Sequence, residues 1–234
     1  MLINKEFTLA GECQEDYLLL DQEWSSGIAG RPREFDRDLA LERARDLFWA
    51  RGYEGTSMSD LVAALGIASA RIYAAFGSKE ALFREAIEHY EAKEGSFADR
   101  ALSKSKDVRS ALENMFREAV RLYTPGQRGC MVVSAATNCA QENSAVGIWL
   151  AEHRKARTQS IIDRLREAKH SGEIPEDVDE VAVGDCCATL LHGLSVQARD
   201  GIDQHRLDAA VEAFLAAFDL AAGGNIRRRK GTSA

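Results

Sequence analysis

Proline and long apolar runs are both scarce in this sequence. Only three prolines occur in 234 residues, so few positions would interrupt an α-helix. No run of eighteen apolar residues is present, which argues against a membrane-spanning helix. The first residues also lack the basic start and long apolar core of a signal peptide. We therefore expect a cytoplasmic, helical protein with no membrane partner.

Paired cysteines and metal-ligand spacings are missing as well. The five cysteines are Cys13, Cys130, Cys139, Cys186 and Cys187. Their number is odd, and their spacing matches no zinc or cluster motif, so they predict reduced thiols in a reducing compartment. We expect no metal and no other cofactor.

A net positive charge is the third absence. The net charge of −7 excludes a protein that coats nucleic acid nonspecifically through a broad basic field. Residues 1–30 carry one basic and six acidic side chains, whereas residues 31–79 carry eight basic and seven acidic ones. Any binding to DNA should therefore depend on a few placed contacts.

What the sequence does contain is a pair of short amphipathic segments within residues 57–82. One buried helical stripe in the first segment is formed by Met58, Leu61, Val62 and Leu65. Gly66 can adopt the left-handed conformation that ends a helix and turns the chain. Ile72 and Phe76 can anchor the second segment, whose outer face is slim: Ser69, Ala70, Arg71, Tyr73 and Ala74. A helix with such a face fits the DNA major groove, so the pattern predicts a helix-turn-helix.

Residues 30–90 resemble the DNA-binding domain of the tetracycline-repressor (TetR) family of bacterial transcription regulators. The matching residues are Ala44, Leu47-Phe48, Gly52-Tyr53, Thr56-Ser57, Leu65-Gly66-Ile67, Ile72-Tyr73, Phe76 and Ser78-Lys79-Glu80-Ala81-Leu82. The resemblance implies an all-α fold, with an N-terminal three-helix helix-turn-helix domain and a C-terminal helical bundle for ligand binding and dimerisation. One departure is Ala68, where the family usually has serine or another capping residue. The cap of the recognition helix must then come from Ser69 or be missing.

We divide the chain into four parts. They are a flexible acidic extension (1–29), the DNA-binding domain (30–95), a helical effector-binding and dimerisation domain (105–222) and a basic tail (223–234). The polar segment 96–106 is the predicted boundary, and the second domain is expected to hold helices at 108–123, 130–141, 143–170, 178–199 and 204–222. We predict that the last two helices form the dimer interface, with Leu194 and Phe214 at its centre or in the core beneath it.

The resemblance also implies which residues touch the operator. Tyr73 and Lys79 match positions that hold DNA phosphates, and a phenol or an ammonium suits that role; core packing is the alternative for Tyr73. Arg71 could reach a guanine edge or a phosphate. The predicted DNA-binding set is Arg31, Arg33, Thr56, Ser57, Ser69, Ala70, Arg71, Tyr73 and Lys79. Thr56 and Ser57 also suit helix capping, and an exposed linker is the alternative for Arg31 and Arg33.

Family members usually bind an effector in the second domain, between helices. We predict that this site is lined by Met115, Phe116, Tyr123, Met131, Ser134, Asn138, Trp149 and His153, although core packing is the commoner role for each residue singly. His192 is interpreted as a packing residue.

These observations predict a homodimeric regulator, a repressor that leaves a palindromic operator when a small-molecule effector binds. Two alternatives stay open. One is a regulator of the same fold that senses oxidants or electrophiles through Cys130, because a predicted helix start and the nearby Arg128 would lower the thiol pKa. The other is an enzyme that uses Cys130 or Cys139 with His153 or His192, although no motif spacing supports it.

Overall fold

The computed structural model describes residues 35–223, and within this range every regular element is a helix. The α-helices are α1 Arg37–Arg51, α2 Met58–Leu65, α3 Ser69–Phe76, α4 Lys79–Ala92, α5 Phe97–Lys104, α6 Val108–Tyr123, α7 Met131–Ser134, α8 Ser144–His170, α9 Glu180–Arg199 and α10 Gln204–Ala221. The predicted all-α fold is confirmed. The predictions for the acidic extension, for Arg31 and Arg33, and for the tail beyond residue 223 concern positions outside the described residues.

Side-chain caps fix where α1, α2 and α4 begin. The side chains of Asp36, Ser57 and Ser78 each accept a hydrogen bond from the backbone N–H three residues ahead. Gly66 ends α2 with a φ of 69°, and the axes of α2 and α3 meet at 93°. This angle is typical of a helix-turn-helix. Ala68 gives α3 no side-chain cap, so the cap is missing.

Helices α1–α4, here called the N-terminal group, close around an aromatic cluster. The rings of Phe48 and Phe83 lie edge to face with centroids 5.1 Å apart, and Tyr53 lies 5.1 Å from Phe83. Ile72 and Phe76 of α3 are also buried. Because aromatic side chains bury the largest apolar areas, this cluster holds α3 against α1 and α4 and leaves its opposite face outward.

Residues 96–106 are not the polar boundary that the sequence predicted. Helix α5 buries Phe97, Ala98, Ala101 and Leu102, and it packs against α6 and α8. These four apolar residues have helical spacing, but Asp99 and Arg100 between them and the serines and lysines on either side masked the pattern. From Asp36 onward the described residues form one compact unit, so the division into two functional domains remains a prediction.

Helices α6, α8, α9 and α10 form the C-terminal bundle. Its core includes Leu112, Phe116, Leu165, Leu191, Leu194, Val211 and Leu215. Among the described helices, α9 alone is long and apolar enough to span a membrane, but core helices pass the same test. Its buried side packs against α6 and α8, which accounts for its apolar composition.

The segment between α6 and α8 differs from the expectation. The helix predicted for 130–141 is a single turn, Met131–Ser134, because Thr137 and Asn138 are weak helix formers. Helix α8 begins at Ser144 without a side-chain cap from Asn143. The Asn143 amide instead donates to the Glu54 carboxylate at 2.9 Å.

The C-terminal end of α1 is bound closely to this same segment. The Tyr53 N–H donates to the Ala135 carbonyl at 2.7 Å. Gly52, with φ 73° and ψ 176°, occupies a region that is essentially restricted to glycine. A Cβ atom on Gly52 would lie 3.0 Å from the Ala135 oxygen. Glycine is therefore required at this position both by its own backbone conformation and by the approach of a neighbouring carbonyl.

We predict that Gly52→Ala lowers the free energy of unfolding by about 2–3 kcal/mol, since it adds backbone strain and a close contact. Gly66→Ala is the matched control. Gly66 is left-handed too, but a Cβ there would meet nothing within 4 Å, so its cost should be only about 1 kcal/mol. Urea unfolding followed by circular dichroism measures the free energy of unfolding of both variants. Equal losses of stability would show that the Ala135 contact imposes no constraint.

Candidate nucleic-acid interface and ligand cavity

The outward face of α3 is formed by the slim set that the sequence identified. Ser69, Ala70, Arg71, Tyr73 and Ala74 are all exposed, and Tyr73 exposes 48% of its surface. The alternative of core packing for Tyr73 is therefore wrong. Within the described residues, no side-chain cap accepts from the first-turn amide groups of α3.

Thr56 and Ser57 have different surroundings, although the sequence grouped them. Thr56 is completely buried, and its hydroxyl donates to the Gly52 carbonyl at 2.7 Å. It cannot reach a ligand on the surface, so its inclusion in the DNA-binding set is wrong. Ser57 is exposed and forms a capping box with Asp60.

Lys79, the first residue of α4, lies next to the loop that follows α1. Its Nζ atom sits 4.2 Å from the centroid of the Tyr53 ring, a cation–π contact. Partial burial lowers the Lys79 pKa, and the nearby carboxylates of Glu54 and Asp60 work against that shift. The ring contact thus holds the ammonium in place. A bound anion there would offset part of the energetic cost of burying its charge.

The C-terminal part of the molecule contains a cavity of about 30 Å³. It lies where the end of α4, the start of α5 and helices α6–α9 meet. Its walls include Tyr90, Tyr123, Cys130, His153, Arg154 and His192. Of the eight residues predicted to line an effector site, only Tyr123 and His153 are in this wall.

The structure does not bring the other six predicted residues to the cavity. Met115, Phe116 and Met131 are fully buried in the core, and Asn138 is exposed. The Ser134 hydroxyl donates to the Cys130 carbonyl. Trp149 packs against Phe83 and His153, and the Arg84 guanidinium lies 4.6 Å from its ring centroid.

The sequence analysis missed Tyr90, Arg154 and Arg157 and assigned His192 to packing, yet all four line the cavity. One signal was available, because His153, Arg154 and Arg157 place three polar groups within about one turn of α8. Nothing in the sequence shows that α4 and α9 approach that turn.

An outer cleft of about 240 Å³ adjoins the cavity. The two share Glu91, His153 and Arg157. Two polar pairs lie here: His153 Nδ1 is 2.8 Å from the Glu91 carboxylate, and the Arg157 guanidinium forms an ion pair with Asp99 at 2.6 Å. Glu91, His153 and Arg157 therefore lie at the border between the cavity and the cleft.

Burial sets the charge state of the cavity walls. It raises the pKa values of Tyr90 and Tyr123 well above their usual range. It lowers the pKa of His192, and the Arg154 charge lowers it further. At neutral pH these three side chains are therefore uncharged.

The thiol alternatives receive little support from their surroundings. The Arg128 guanidinium points away from Cys130; it pairs with Asp46 at 2.9 Å and lies 3.9 Å from the Trp49 ring centroid. Cys130 is buried and its sulfur accepts from the Tyr90 hydroxyl at 3.6 Å. Burial raises the pKa of Cys139, which opposes thiolate formation. Within residues 35–223 there is no group of side chains that could hold a metal ion.

A second junction joins α1 to the C-terminal part. The Trp49 Nε1–H donates to the Gly129 carbonyl at 3.1 Å. Arg199, in the last turn of α9, donates to the carbonyls of Trp49 and Arg128 at 3.3 and 3.1 Å. Trp49 also packs edge to face on Tyr90, with centroids 4.8 Å apart. The end of α1 is thus tied to the cavity wall through Tyr90 and to the end of α9 through Arg199.

Comparison with known proteins identifies relatives along most of the chain. Residues 40–86 match the sequence profile of bacterial regulatory proteins of the tetR family. The HTH-type transcriptional repressor ComR of Escherichia coli K12 is 31% identical over 181 residues, 76% of this chain and 86% of ComR. The repressor BdcR of the same strain is 31% identical over 178 residues, 75% of this chain and 85% of BdcR.

A solved structure is also similar. It is a cysteine variant of the TetR family transcriptional regulator CifR in complex with a 26-bp double-strand operator DNA. The two chains are 42% identical, the match covers 80% of this chain and 99% of that one, and the TM-score is 0.77.

We predict that Trp49→Phe lowers the free energy of unfolding by about 2–3 kcal/mol, because it leaves the Gly129 carbonyl unpaired and removes buried volume. Trp149→Phe is the matched control, since Trp149 is only half-buried and should cost less than about 1 kcal/mol. Denaturant unfolding compares the two. A Trp49→Phe loss no larger than that of the control would contradict the assigned role of the junction.

Proposed function

The chain belongs to the tetR family of bacterial regulatory proteins, and from that premise we propose that it is a repressor released from a palindromic operator by a small-molecule effector. Two observations support the proposal: the family membership and the exposed outer face of the recognition helix α3. The protein is a DNA-binding transcriptional regulator and not an enzyme. Its place of action is the cytoplasm, where bacterial DNA lies.

Direct contacts to the operator are assigned to α3 and its flanks. Arg71 and Ser69 are placed to reach base edges or phosphates, and Ala70 to contact thymine methyl groups. Tyr73 and Lys79 are assigned to phosphates on either side of the groove. Because the net charge of the chain is −7, these few contacts would carry much of the affinity.

Dimerisation is assigned to α9 and α10, the helices chosen from the sequence. Both leave small and apolar residues exposed: Val181, Ala182, Cys186 and Val196 on α9, and Ala209, Ala213, Ala216, Ala217 and Leu220 on α10. Leu220 exposes 81% of its surface. Two such faces would close a four-helix interface and bury this area in both subunits. Leu194 is buried in the core beneath, and the half-buried Phe214 packs against Phe116 with ring centroids 5.3 Å apart.

Release is assigned to the cavity at the end of α4. A cavity of about 30 Å³ holds roughly two water molecules, so an effector of more than a few atoms must push its walls apart. Tyr90 and Glu91 in the wall belong to α4, which starts at Lys79. Movement of α4 would shift the N-terminal group. An effector that binds more tightly when the cavity walls are apart would weaken DNA binding, and DNA would weaken effector binding by the same factor.

We predict that Lys79→Ala weakens binding to all duplexes and reduces the salt slope by about one, since one phosphate contact is lost. Tyr73→Phe should weaken binding about five- to tenfold through loss of one hydrogen bond to phosphate. Fluorescence anisotropy between about 50 and 200 mM salt measures both, on an operator selected from random duplexes by the wild-type protein.

Lys155→Ala is the control for this experiment, because it removes the same charge from an exposed position on α8. Its affinity and slope should match the wild type. If all three variants behave alike, Lys79 and Tyr73 do not contact phosphate.

We predict that Leu220→Glu combined with Val196→Glu converts the dimer to a monomer at micromolar concentration, since four charges would then be buried in one interface. Analytical ultracentrifugation measures the mass. Leu39→Glu is the control, because Leu39 is an exposed apolar residue of α1 outside the α9–α10 face. A variant that keeps the mass of the wild-type dimer would refute the assignment.

A further inference from the structure

We infer that the effector is a small carboxylate and that the Arg154 guanidinium binds it inside the cavity. This inference rests on the proposed function, because it names the chemical class that the effector cavity accepts. It comes from an imbalance of charge on α8.

Helix α8 carries six lysine and arginine residues, and five of them have a carboxylate partner. The partners are Glu152 for Lys155, Asp99 for Arg157, Glu173 for Arg164, Asp163 for Arg166 and Glu180 for Lys169. Among the ion pairs of residues 35–223, none includes Arg154. Within the described residues, Arg154 is therefore the one lysine or arginine of this helix without a carboxylate partner, and it lies in the cavity wall with His192.

The surroundings of Arg154 make that imbalance costly. Its side chain is half-buried, and its one hydrogen-bonded partner in the described structure is the Val132 carbonyl, at 2.9 Å. Burial lowers the Arg154 pKa, and the neighbouring Cys130 thiol works against that shift. Its remaining N–H groups need acceptors, and a carboxylate matches a guanidinium in both charge and shape.

The other charged groups near the cavity are already committed. Arg157 is paired with Asp99, and His153 with Glu91. Tyr90, Tyr123 and His192 are uncharged at neutral pH, and the Glu91 carboxylate in the wall is held by His153 at 2.8 Å. A single guanidinium suits a monoanion, whereas a phosphate with nearly two negative charges would lack its second cation.

The size of the cavity further limits which carboxylates can bind. Its volume of about 30 Å³ admits a carboxylate group and little else without expansion. The apolar part of the wall includes Phe97, Val133 and Leu191. A short aliphatic or aromatic acid matches this wall. Its carboxylate would bind Arg154, and its apolar part would pack against these side chains.

The test uses the full chain and a panel of straight-chain acids from acetate to octanoate together with benzoate. Each acid is paired with its primary amide, and inorganic phosphate is added as a separate anion. The readouts are the thermal midpoint of the protein, which rises with ligand binding, and release of the selected operator. We expect at least one acid to bind at least tenfold more tightly than its amide, because a charge-assisted pair replaces a neutral hydrogen bond.

Arg154→Gln should reduce binding of that acid to the level of its amide, a loss of about tenfold or more. Arg154→Lys should restore part of the acid preference. Arg164→Gln is the matched control, since it removes a guanidinium from the same helix outside the cavity, and it should retain the acid preference.

Three results would overturn the inference: no acid shifts the midpoint more than its amide, phosphate alone acts, or the preference survives in Arg154→Gln. If any of these results is found and an uncharged compound still releases the operator, the proposed function stands and only the ligand class is wrong. If the wild-type protein binds no selected duplex, the proposed function fails, and the thermal midpoints still decide whether Arg154 selects acids.

Discussion

The hydrogen-bonded junction at the end of α1 is the constraint on which the arrangement of this molecule depends. The N–H of Tyr53 binds the Ala135 carbonyl, and the indole of Trp49 binds the Gly129 carbonyl. Both carbonyls belong to the short segment around α7, which also forms part of the cavity wall. Since buried backbone carbonyls are costly to leave unpaired, the N-terminal group cannot shift without replacing these bonds.

This junction gives the cavity two routes to the recognition helix. One runs along α4, from Tyr90 in the wall to Lys79 beside α3. The other runs through Trp49, which packs on Tyr90 and is bound at its backbone by Arg199 of α9. The second route depends on contacts between residues far apart in sequence. Because both routes meet at Tyr90, a ligand that displaces this side chain would act on α1 and α4 together.

Local chemistry made much of the N-terminal group predictable. Ser57, Gly66 and Ser78 signal helix ends through side-chain caps and a left-handed backbone, and these signals need no knowledge of distant contacts. The outer face of α3 followed from the same periodicity that identified its buried residues. Thr56 was misassigned because it precedes α2, as an exposed capping residue would. Its burial depends on the loop after α1, where its hydroxyl donates to the Gly52 carbonyl.

The cavity was much less predictable, because it is formed by elements far apart in sequence. Large apolar residues such as Phe116 and Trp149 suggested a ligand site, but their surroundings show that they pack against other rings. The polar wall residue Arg154 is distinguished only by the absence of a carboxylate nearby, and its neighbours come from separate helices. Helix α5 was overlooked for a related reason, since its four buried residues stand among serines and lysines.

The central claim is that two copies of this chain place α3 in successive major grooves of a palindromic operator. Hydroxyl-radical footprinting of the wild-type protein on its selected duplex tests it most directly. The account predicts two protected tracts related by two-fold symmetry, with centres about one helical turn, roughly 34–36 Å, or a multiple of it apart. A single protected tract, or two tracts without symmetry, would contradict the account.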